Sequence, residues 1–127
     1  MNRRILLVDD DDDTRTLMCE ALRRRGLDVE AVESAQACLR RLDAARFDLV
    51  VTDVEMPGMS GIELCRALSH RVPPLLAIVV SGLKDVKTAT AALACGAVEF
   101  LAKPIRATSL DAAIRRVIAH GSTYQPV

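Results

Sequence analysis

The sequence has no excess of charge of either sign, no long apolar run and no repeated segment. Lysine and arginine together number 17, as do aspartate and glutamate, so no overall field attracts nucleic acid or an anionic membrane surface. The apolar runs are far shorter than the roughly 20 residues that span a bilayer. The chain reaches Asp9 too soon for a signal peptide. We therefore expect a cytoplasmic protein that by itself binds neither DNA nor membrane.

The cysteines do not form a metal-binding or redox pattern. Cys19, Cys38, Cys65 and Cys95 are irregularly spaced, with no pair separated by two residues and no nearby histidine to complete a zinc site. Each falls within a predicted helix among apolar neighbours. All four are therefore expected to be small, buried, apolar side chains.

The length of the chain suits one domain. A chain of 127 residues can bury one sizeable core, and no low-complexity segment or linker divides it. The last residues show no periodicity. We expect residues 1–121 to form a single domain and residues 122–127 to be a flexible C-terminal tail.

Strand-like and helix-like patterns alternate along the chain. Short apolar runs predict strands at 4–8, 28–32, 49–52, 75–80 and 98–102. Apolar residues at helical spacing predict five helices. Two extend over 14–25 and 85–95, and a third follows Gly61. The other two begin after capping residues, one running from Ser34 to about residue 42 and the last starting at Ser109. This alternation favours an α/β fold in which helices cover both faces of a parallel, five-stranded sheet.

The predicted helices differ in the apolar side chains that they offer to a core. The first and last helices have apolar residues on one face: Leu17, Ala21 and Leu22, and Leu110, Ala113, Ile114, Val117 and Ile118. The helix over 85–95 is rich in alanine and threonine, with Val86 and Leu93 as its only sizeable apolar anchors. We expect this helix to be held less firmly and to be the part that moves.

Polar residues stand where four of the apolar runs end. They are Asp9 with Asp10, then Asp53, Ser81 and Lys103. In an open parallel sheet the carboxyl ends of the strands lie along one edge, so these groups should converge into a single site.

The chemistry of such a site suits a divalent cation and a phosphoryl group. Asp53 can act as a nucleophile towards phosphorus and form an aspartyl phosphate. Asp10 beside Asp53 offers the carboxylates that Mg²⁺ binds, with Asp9 holding a metal-bound water. Lys103 can place a positive charge against the transferring oxygens, and the Ser81 hydroxyl can donate a hydrogen bond to one of them.

Together these motifs resemble the receiver domains of two-component response regulators, over about residues 4–120. The matching segments are Val8-Asp9-Asp10-Asp11 with Arg15, Asp53-Val-Glu-Met-Pro-Gly-Met-Ser-Gly61, Val80-Ser81-Gly82, Gly96-Ala97 and Phe100-Leu-Ala-Lys103-Pro104. The resemblance implies a doubly wound, flavodoxin-like fold with strand order 2-1-3-4-5, as in the chemotaxis response regulator. It also implies a cis Lys103-Pro104 bond.

The resemblance further implies a role for each residue of the site. Asp53 would accept a phosphoryl group from the phosphohistidine of a sensor histidine kinase or phosphotransfer protein, or from a small phosphodonor. Asp9, Asp10 and the backbone carbonyl of Glu55 would organise Mg²⁺ beside Asp53.

Ser81 and Phe100 match the family's switch hydroxyl and switch aromatic. Their movement would remodel the face formed by the fourth helix, fifth strand and fifth helix, which would control a downstream effector. Such a domain catalyses only its own phosphoryl transfer and hydrolysis and is not a metabolic enzyme. Homodimer formation is left open.

Three other interpretations compete with this one. The chain could be a receiver-like interaction module that works without phosphorylation. Asp9-x-Asp11-x-Asp13 copies part of a calcium loop, but Thr14 replaces the required glycine and a strand precedes the motif. Asp10-x-Asp12-x-Thr14 resembles the first motif of haloacid-dehalogenase-like phosphatases, although the later acidic pair that would complete their metal site is not present.

Overall fold

Ten elements alternate along the chain in a computed structural model that describes residues 3–83 and 85–120. The strands are β1 (Arg4–Val8), β2 (Asp28–Val32), β3 (Leu49–Asp53), β4 (Leu76–Ser81) and β5 (Glu99–Ala102). The helices are α1 (Asp12–Arg24), α2 (Ala35–Ala44), α3 (Gly61–Ser69), α4 (Val86–Ala94) and α5 (Ala107–His120). The tail expected at 122–127 lies outside the described residues, so the proposed domain boundary stays a prediction.

The five strands form one parallel sheet in the order β2-β1-β3-β4-β5. In its register Val8 lies opposite Val32 and Thr52, Asp53 lies opposite Val80, and Ser81 lies opposite Ala102. The last residues of neighbouring strands are therefore close to one another at one edge. The predicted α/β fold and strand order are confirmed.

Each face of the sheet carries its own apolar core. Leu6 and Val50 point towards α2, α3 and α4, whereas Leu7 and Val51 point towards α1 and α5. All residues of β3 are buried, as expected for a central parallel strand covered on both faces. Burying each large aliphatic side chain contributes about 1.5–3 kcal/mol, so the central strands hold the site on a rigid support.

Polar side chains cap the helices that start at the site's edge of the sheet. Asp11 caps α1 by accepting a hydrogen bond from the Thr14 N–H, and Asp85 caps α4 by accepting one from the Thr88 N–H. Ser34 caps α2, which confirms that prediction. Such caps satisfy the unpaired N–H groups of a first turn. They also set where each loop enters its helix.

The structure corrects the predicted anchors of two helices. Leu17 is 67% exposed, whereas the predicted Leu22 is fully buried and α1 packs through it and through Cys19. In α4, Val86 is 82% exposed and Leu93 is also exposed, whereas Ala92 is fully buried. Hydrophobicity alone did not identify the inward face, because a small alanine lets a helix approach the sheet closely. The expected mobility of α4 stays a prediction.

Two smaller expectations were also wrong. Helix α5 begins at Ala107, and its bonding starts with the Leu110 N–H donating to the Arg106 carbonyl. Ser109 therefore lies inside the helix and does not cap it, because packing of the apolar face outweighs a local capping preference. Cys19, Cys38 and Cys65 are buried as expected, but Cys95 follows α4 and is only partly buried.

Among the described residues, no helix combines the length and apolarity needed to cross a membrane.

Candidate functional site

The ends of β1, β3, β4 and β5 bring the predicted site residues to one edge of the sheet. Asp53 and Ser81 are the last residues of β3 and β4, and Asp9 and Lys103 directly follow β1 and β5. Asp9, Asp53 and Ser81 are buried. Lys103 reaches across the edge, and its Nζ donates a hydrogen bond of 2.7 Å to Asp53 Oδ2.

Three carboxylates lie close enough together to share a cation. Asp9, Asp10 and Asp53 each offer an oxygen within 4.8 Å of the others. Oδ1 of Asp53 is buried and has no hydrogen-bond partner among the residues that the structure describes. An unpaired buried carboxylate oxygen is costly, and a hard cation with oxygen ligands would satisfy it. The donor set therefore fits Mg²⁺.

Burial and charge act against each other on the central ion pair. Burial raises the pKa of Asp53, the hydrogen bond and charge of Lys103 act to lower it, and the charges of Asp9 and Glu55 add to the rise. Burial alone would lower the pKa of Lys103, but its hydrogen bond to Asp53 and the surrounding carboxylates raise it overall. Lys103 is therefore held as a cation beside a carboxylate that is poorly solvated.

Three contacts hold the loop after β1. The Asp11 N–H donates to Asp9 Oδ1 at 3.0 Å. Arg15 on α1 donates to the backbone carbonyl of Asp9 at 2.9 Å and pairs with Asp12. Arg15, which follows the acidic run in sequence, thus fixes the backbone that carries the carboxylates.

The loop after β3 folds back on the backbone of Asp53. A Cβ built at Gly61 would lie 2.0 Å from the Asp53 carbonyl oxygen, a distance that no side chain allows. The Gly61 N–H also donates to the Val54 carbonyl at 3.0 Å. Glycine is therefore required at Gly61 so that α3 can start against the end of β3.

The Ser81 hydroxyl contacts a residue for which only a backbone role was predicted. It donates to Oε2 of Glu55 at 2.6 Å, and the Gly82 N–H donates to Oε1 of the same carboxylate at 3.0 Å. Ser81 Oγ also accepts a hydrogen bond from the Leu83 N–H at 2.9 Å. The sequence offered one signal for this contact: Glu55 stands two residues after Asp53, and Ser81 ends the next strand.

The remaining predicted features lie beside the site. Phe100 is half-buried in β5, on the opposite face of that strand from Leu101, which packs towards α1 and α5. The Lys103-Pro104 bond is cis, as the resemblance implied. A cavity of about 400 Å³ runs from Asp53 and Lys103 to the apolar side chains of Met18 and Ile105.

Comparisons with known proteins agree with this arrangement. The family model of the response regulator receiver domain matches residues 5–115. The C4-dicarboxylate transport transcriptional regulatory protein DctD of Rhizobium meliloti is 38% identical over 88% of this chain and 24% of its own length. The transcriptional regulatory protein FixJ of Rhizobium meliloti is 37% identical over 90% of this chain and 56% of its own length. The chain thus spans about a quarter of one relative and about half of the other.

A solved structure gives the same result. The BeF3-activated DrrB receiver domain superposes with a TM-score of 0.84 at 28% identity, covering 94% of this chain and 99% of that one. The family match extends over most of the chain, and the fold and strand order agree with it. This chain therefore belongs to the response regulator receiver domain family.

Proposed function

We propose that Asp53 of this chain accepts a phosphoryl group and that its phosphorylation drives the signalling switch. Receiver domains are signalling switches and not classical enzymes, and family membership gives this chain a phosphorylation-dependent signalling role. The observation that supports Asp53 as the acceptor is its environment. The carboxylate is buried, one oxygen accepts from Lys103, and the other has no partner among the described residues.

The transfer step follows from these contacts. A carboxylate oxygen of Asp53 attacks the phosphorus of a phosphohistidine, forming a P–O bond while the P–N bond breaks. The electron pair of the broken bond stays on the imidazole nitrogen, which then takes up a proton. Lys103 stabilises the charge on the phosphoryl oxygens through its ammonium group. Water later attacks the same phosphorus, and the bond between phosphorus and the Asp53 oxygen breaks, which restores the carboxylate and releases inorganic phosphate.

The metal of the proposed site is Mg²⁺, which receiver domains generally bind at an acidic pocket. Asp9, Asp10, Asp53 and the backbone carbonyl of Glu55 would hold it, with Asp9 acting through a water. Bound Mg²⁺ neutralises charge that builds up between the carboxylates and the phosphoryl oxygens. The support for this assignment is the grouping of the three aspartates within 4.8 Å.

The partners follow from the same proposal. A sensor histidine kinase or a phosphotransfer protein would supply the phosphoryl group in the cytoplasm. The transcriptional regulatory relatives extend well beyond the matched region, which supports an effector domain or protein as the recipient of the signal. Ser81 and Phe100 would carry the change to the face formed by α4, β5 and α5. Residues 1–121 would suffice for this activity.

The test uses a phosphoryl mimic. The protein is titrated with beryllofluoride in the presence of Mg²⁺, and backbone amide resonances are followed in the wild type and in Asp53→Asn. We expect shifts that spread from Asp53 to Ser81, Phe100 and α4 in the wild type and that disappear in the variant. Asparagine is nearly isosteric with aspartate, so the unliganded spectra should otherwise agree.

Two results would contradict the proposal. An unchanged wild-type spectrum would indicate a module that acts without phosphorylation. Equal shifts in Asp53→Asn would mean that another group binds the mimic.

A further inference from the structure

We infer that Glu55 is a positioning residue that holds the Ser81 hydroxyl away from Asp53. A phosphoryl group on Asp53 then replaces Glu55 as the acceptor of the Ser81 hydrogen bond. The inference rests on the proposed function of Asp53 and extends it to a side chain outside the predicted ligand set. Glu55 accepts from Ser81 Oγ at 2.6 Å and from the Gly82 N–H at 3.0 Å. One carboxylate thus holds both the end of β4 and the first residue of the following loop.

The Ser81 hydroxyl can donate either to Glu55 or to a phosphoryl oxygen, but not to both. A hydroxyl has one O–H to donate, and in this structure Ser81 donates it to Glu55. The same hydroxyl cannot donate to a phosphoryl oxygen at the same time. Ser81 is fully buried, so water does not offer it a substitute acceptor. Phosphorylation must therefore break the contact with Glu55 before Ser81 can respond.

The contact extends from Ser81 towards α4. Ser81 Oγ accepts from the Leu83 N–H at 2.9 Å, and Asp85 caps α4 two residues further on. Rotation of the Ser81 hydroxyl towards Asp53 would remove an acceptor from Leu83 as well as the donor from Glu55. The Leu83 N–H, close in sequence to the start of α4, is thereby coupled to the state of the serine.

The expected size of the effect is moderate because Glu55 is exposed. A hydrogen bond to a charged group contributes less when that group is exposed to solvent, as Glu55 is. Glu55→Ala should therefore tighten beryllofluoride binding about fivefold, since the mimic no longer competes for Ser81.

A double-mutant cycle separates positioning from simple charge repulsion. Beryllofluoride affinity is measured at saturating Mg²⁺ in the wild type, Glu55→Ala, Ser81→Ala and the double variant. We expect the fivefold gain from Glu55→Ala to fall below twofold when Ser81 is absent. An equal gain in both backgrounds, or no gain at all, would overturn the inference.

Two further variants test the role of charge. Glu55→Gln keeps an oxygen that can accept from Ser81 but removes the charge, so its affinity should stay closer to that of the wild type than to that of Glu55→Ala. Asp13→Asn removes a charge from an exposed residue of α1. It should change the affinity less than Glu55→Ala does; a similar gain would point to charge alone.

A measurement without the mimic distinguishes failure of this inference from failure of the proposed function. In the free protein, Glu55→Ala should move the amide proton resonances of Gly82 and Leu83, but in the Ser81→Ala background it should move that of Gly82 only. If Leu83 does not respond in the presence of Ser81, Glu55 does not position the hydroxyl. If Leu83 responds but the wild type binds no beryllofluoride, the positioning of Ser81 stands and the phosphoacceptor proposal fails.

Discussion

At the scale of single residues, Lys103 stabilises the ionised carboxylate of Asp53, which is the form that can act as a nucleophile. Asp53 has only 5% of its side chain exposed, whereas Lys103 has 34% exposed. A buried carboxylate without a cation costs several kcal/mol, so Lys103 stabilises the charged form that a nucleophile needs. Because Lys103 is more exposed, its side chain can move to contact a phosphoryl group that arrives from solvent.

Replacement of Lys103 by alanine tests this dependence. Lys103 acts to lower the pKa of Asp53 while burial raises it, so Lys103→Ala should shift the Asp53 titration to higher pH. The carboxyl ¹³C resonance of Asp53, followed against pH in metal-free buffer, measures the change. Lys87→Ala on α4 is the control, and an unchanged Asp53 titration in Lys103→Ala would contradict the assignment. We also expect Lys103→Ala to impair switching more than Mg²⁺ binding.

At the scale of elements, an ion pair network centred on the buried carboxylate of Asp111 joins the end of α1 to α5. Both oxygens of Asp111 are engaged at 2.6 Å, one by Nε of Arg25 and one by Nε of Arg115. Arg115 also donates to the backbone carbonyl of Arg25 at 2.8 Å. The C-terminus of α1 is thereby fixed to the middle of α5. The sequence pattern does not predict this network, because Arg25 and Asp111 lie far apart in the chain.

Asp111→Asn should lower the free energy of unfolding by about 2 kcal/mol at neutral pH, because it removes two charge-assisted hydrogen bonds. Burial alone would raise the pKa of Asp111, but Arg25 and Arg115 lower it overall. The stabilisation is therefore present in full above about pH 4 and is lost as the pH falls through the depressed folded-state pKa.

Urea unfolding of the wild type and Asp111→Asn across pH measures this dependence. The difference between them should shrink below pH 4. Asp43→Asn, which removes an exposed aspartate 3.9 Å from Arg71, should have a much smaller effect. A gap between wild type and Asp111→Asn that grows on acidification would contradict the network's role.

Helix α4 should be the least protected helix of the described fold. It buries only Ala92, whereas α5 buries Leu110, Ala113, Ile114 and Val117. Local opening is easiest where few apolar contacts are lost. Native-state hydrogen exchange should therefore give lower opening free energies for α4 amides than for α5 amides. Equal protection of the two helices would count against α4 as the moving element.

At the scale of the whole molecule, zero net charge coexists with a local cluster of acidic side chains. Asp9, Asp10 and Asp53 lie together at the carboxyl edge of the sheet, where Lys103 pairs with Asp53. Their mutual repulsion opposes folding when no cation is present. A cation bound there only in the folded state should stabilise the whole domain by mass action.

Mg²⁺ should therefore raise the free energy of unfolding, by about 2.7 kcal/mol at a hundred times its Kd. Asp10→Asn should weaken Mg²⁺ binding about tenfold, which reduces that gain to about 1.4 kcal/mol at the same concentration. Thermal unfolding with and without Mg²⁺ measures both quantities. Asp13→Asn should behave as the wild type, whereas equal Mg²⁺ affinity in wild type and Asp10→Asn would exclude Asp10 as a ligand.

Residue periodicity predicted most of the fold but not the details of packing. Alternating apolar runs placed all five strands, and polar residues at strand ends placed Asp53 and Lys103 together. Val86 and Leu93 were wrongly chosen as anchors of α4, because the inward face depends on how closely a helix can approach the sheet. The start of α5 was misplaced at Ser109 for a related reason: core packing outweighed a capping preference.

The order of the elements, the apolar character of the strands and the polar residues that follow them can all be derived from the amino-acid sequence. These are local properties, set by the periodicity of side chains and the geometry of the backbone. Three-dimensional packing makes the Ser81 hydroxyl donate to Glu55 and joins the end of α1 to α5 through Asp111. It also leaves Oδ1 of Asp53 without a hydrogen-bond partner among the described residues. Those contacts depend on distances between residues far apart in the chain, which packing of the two cores alone establishes.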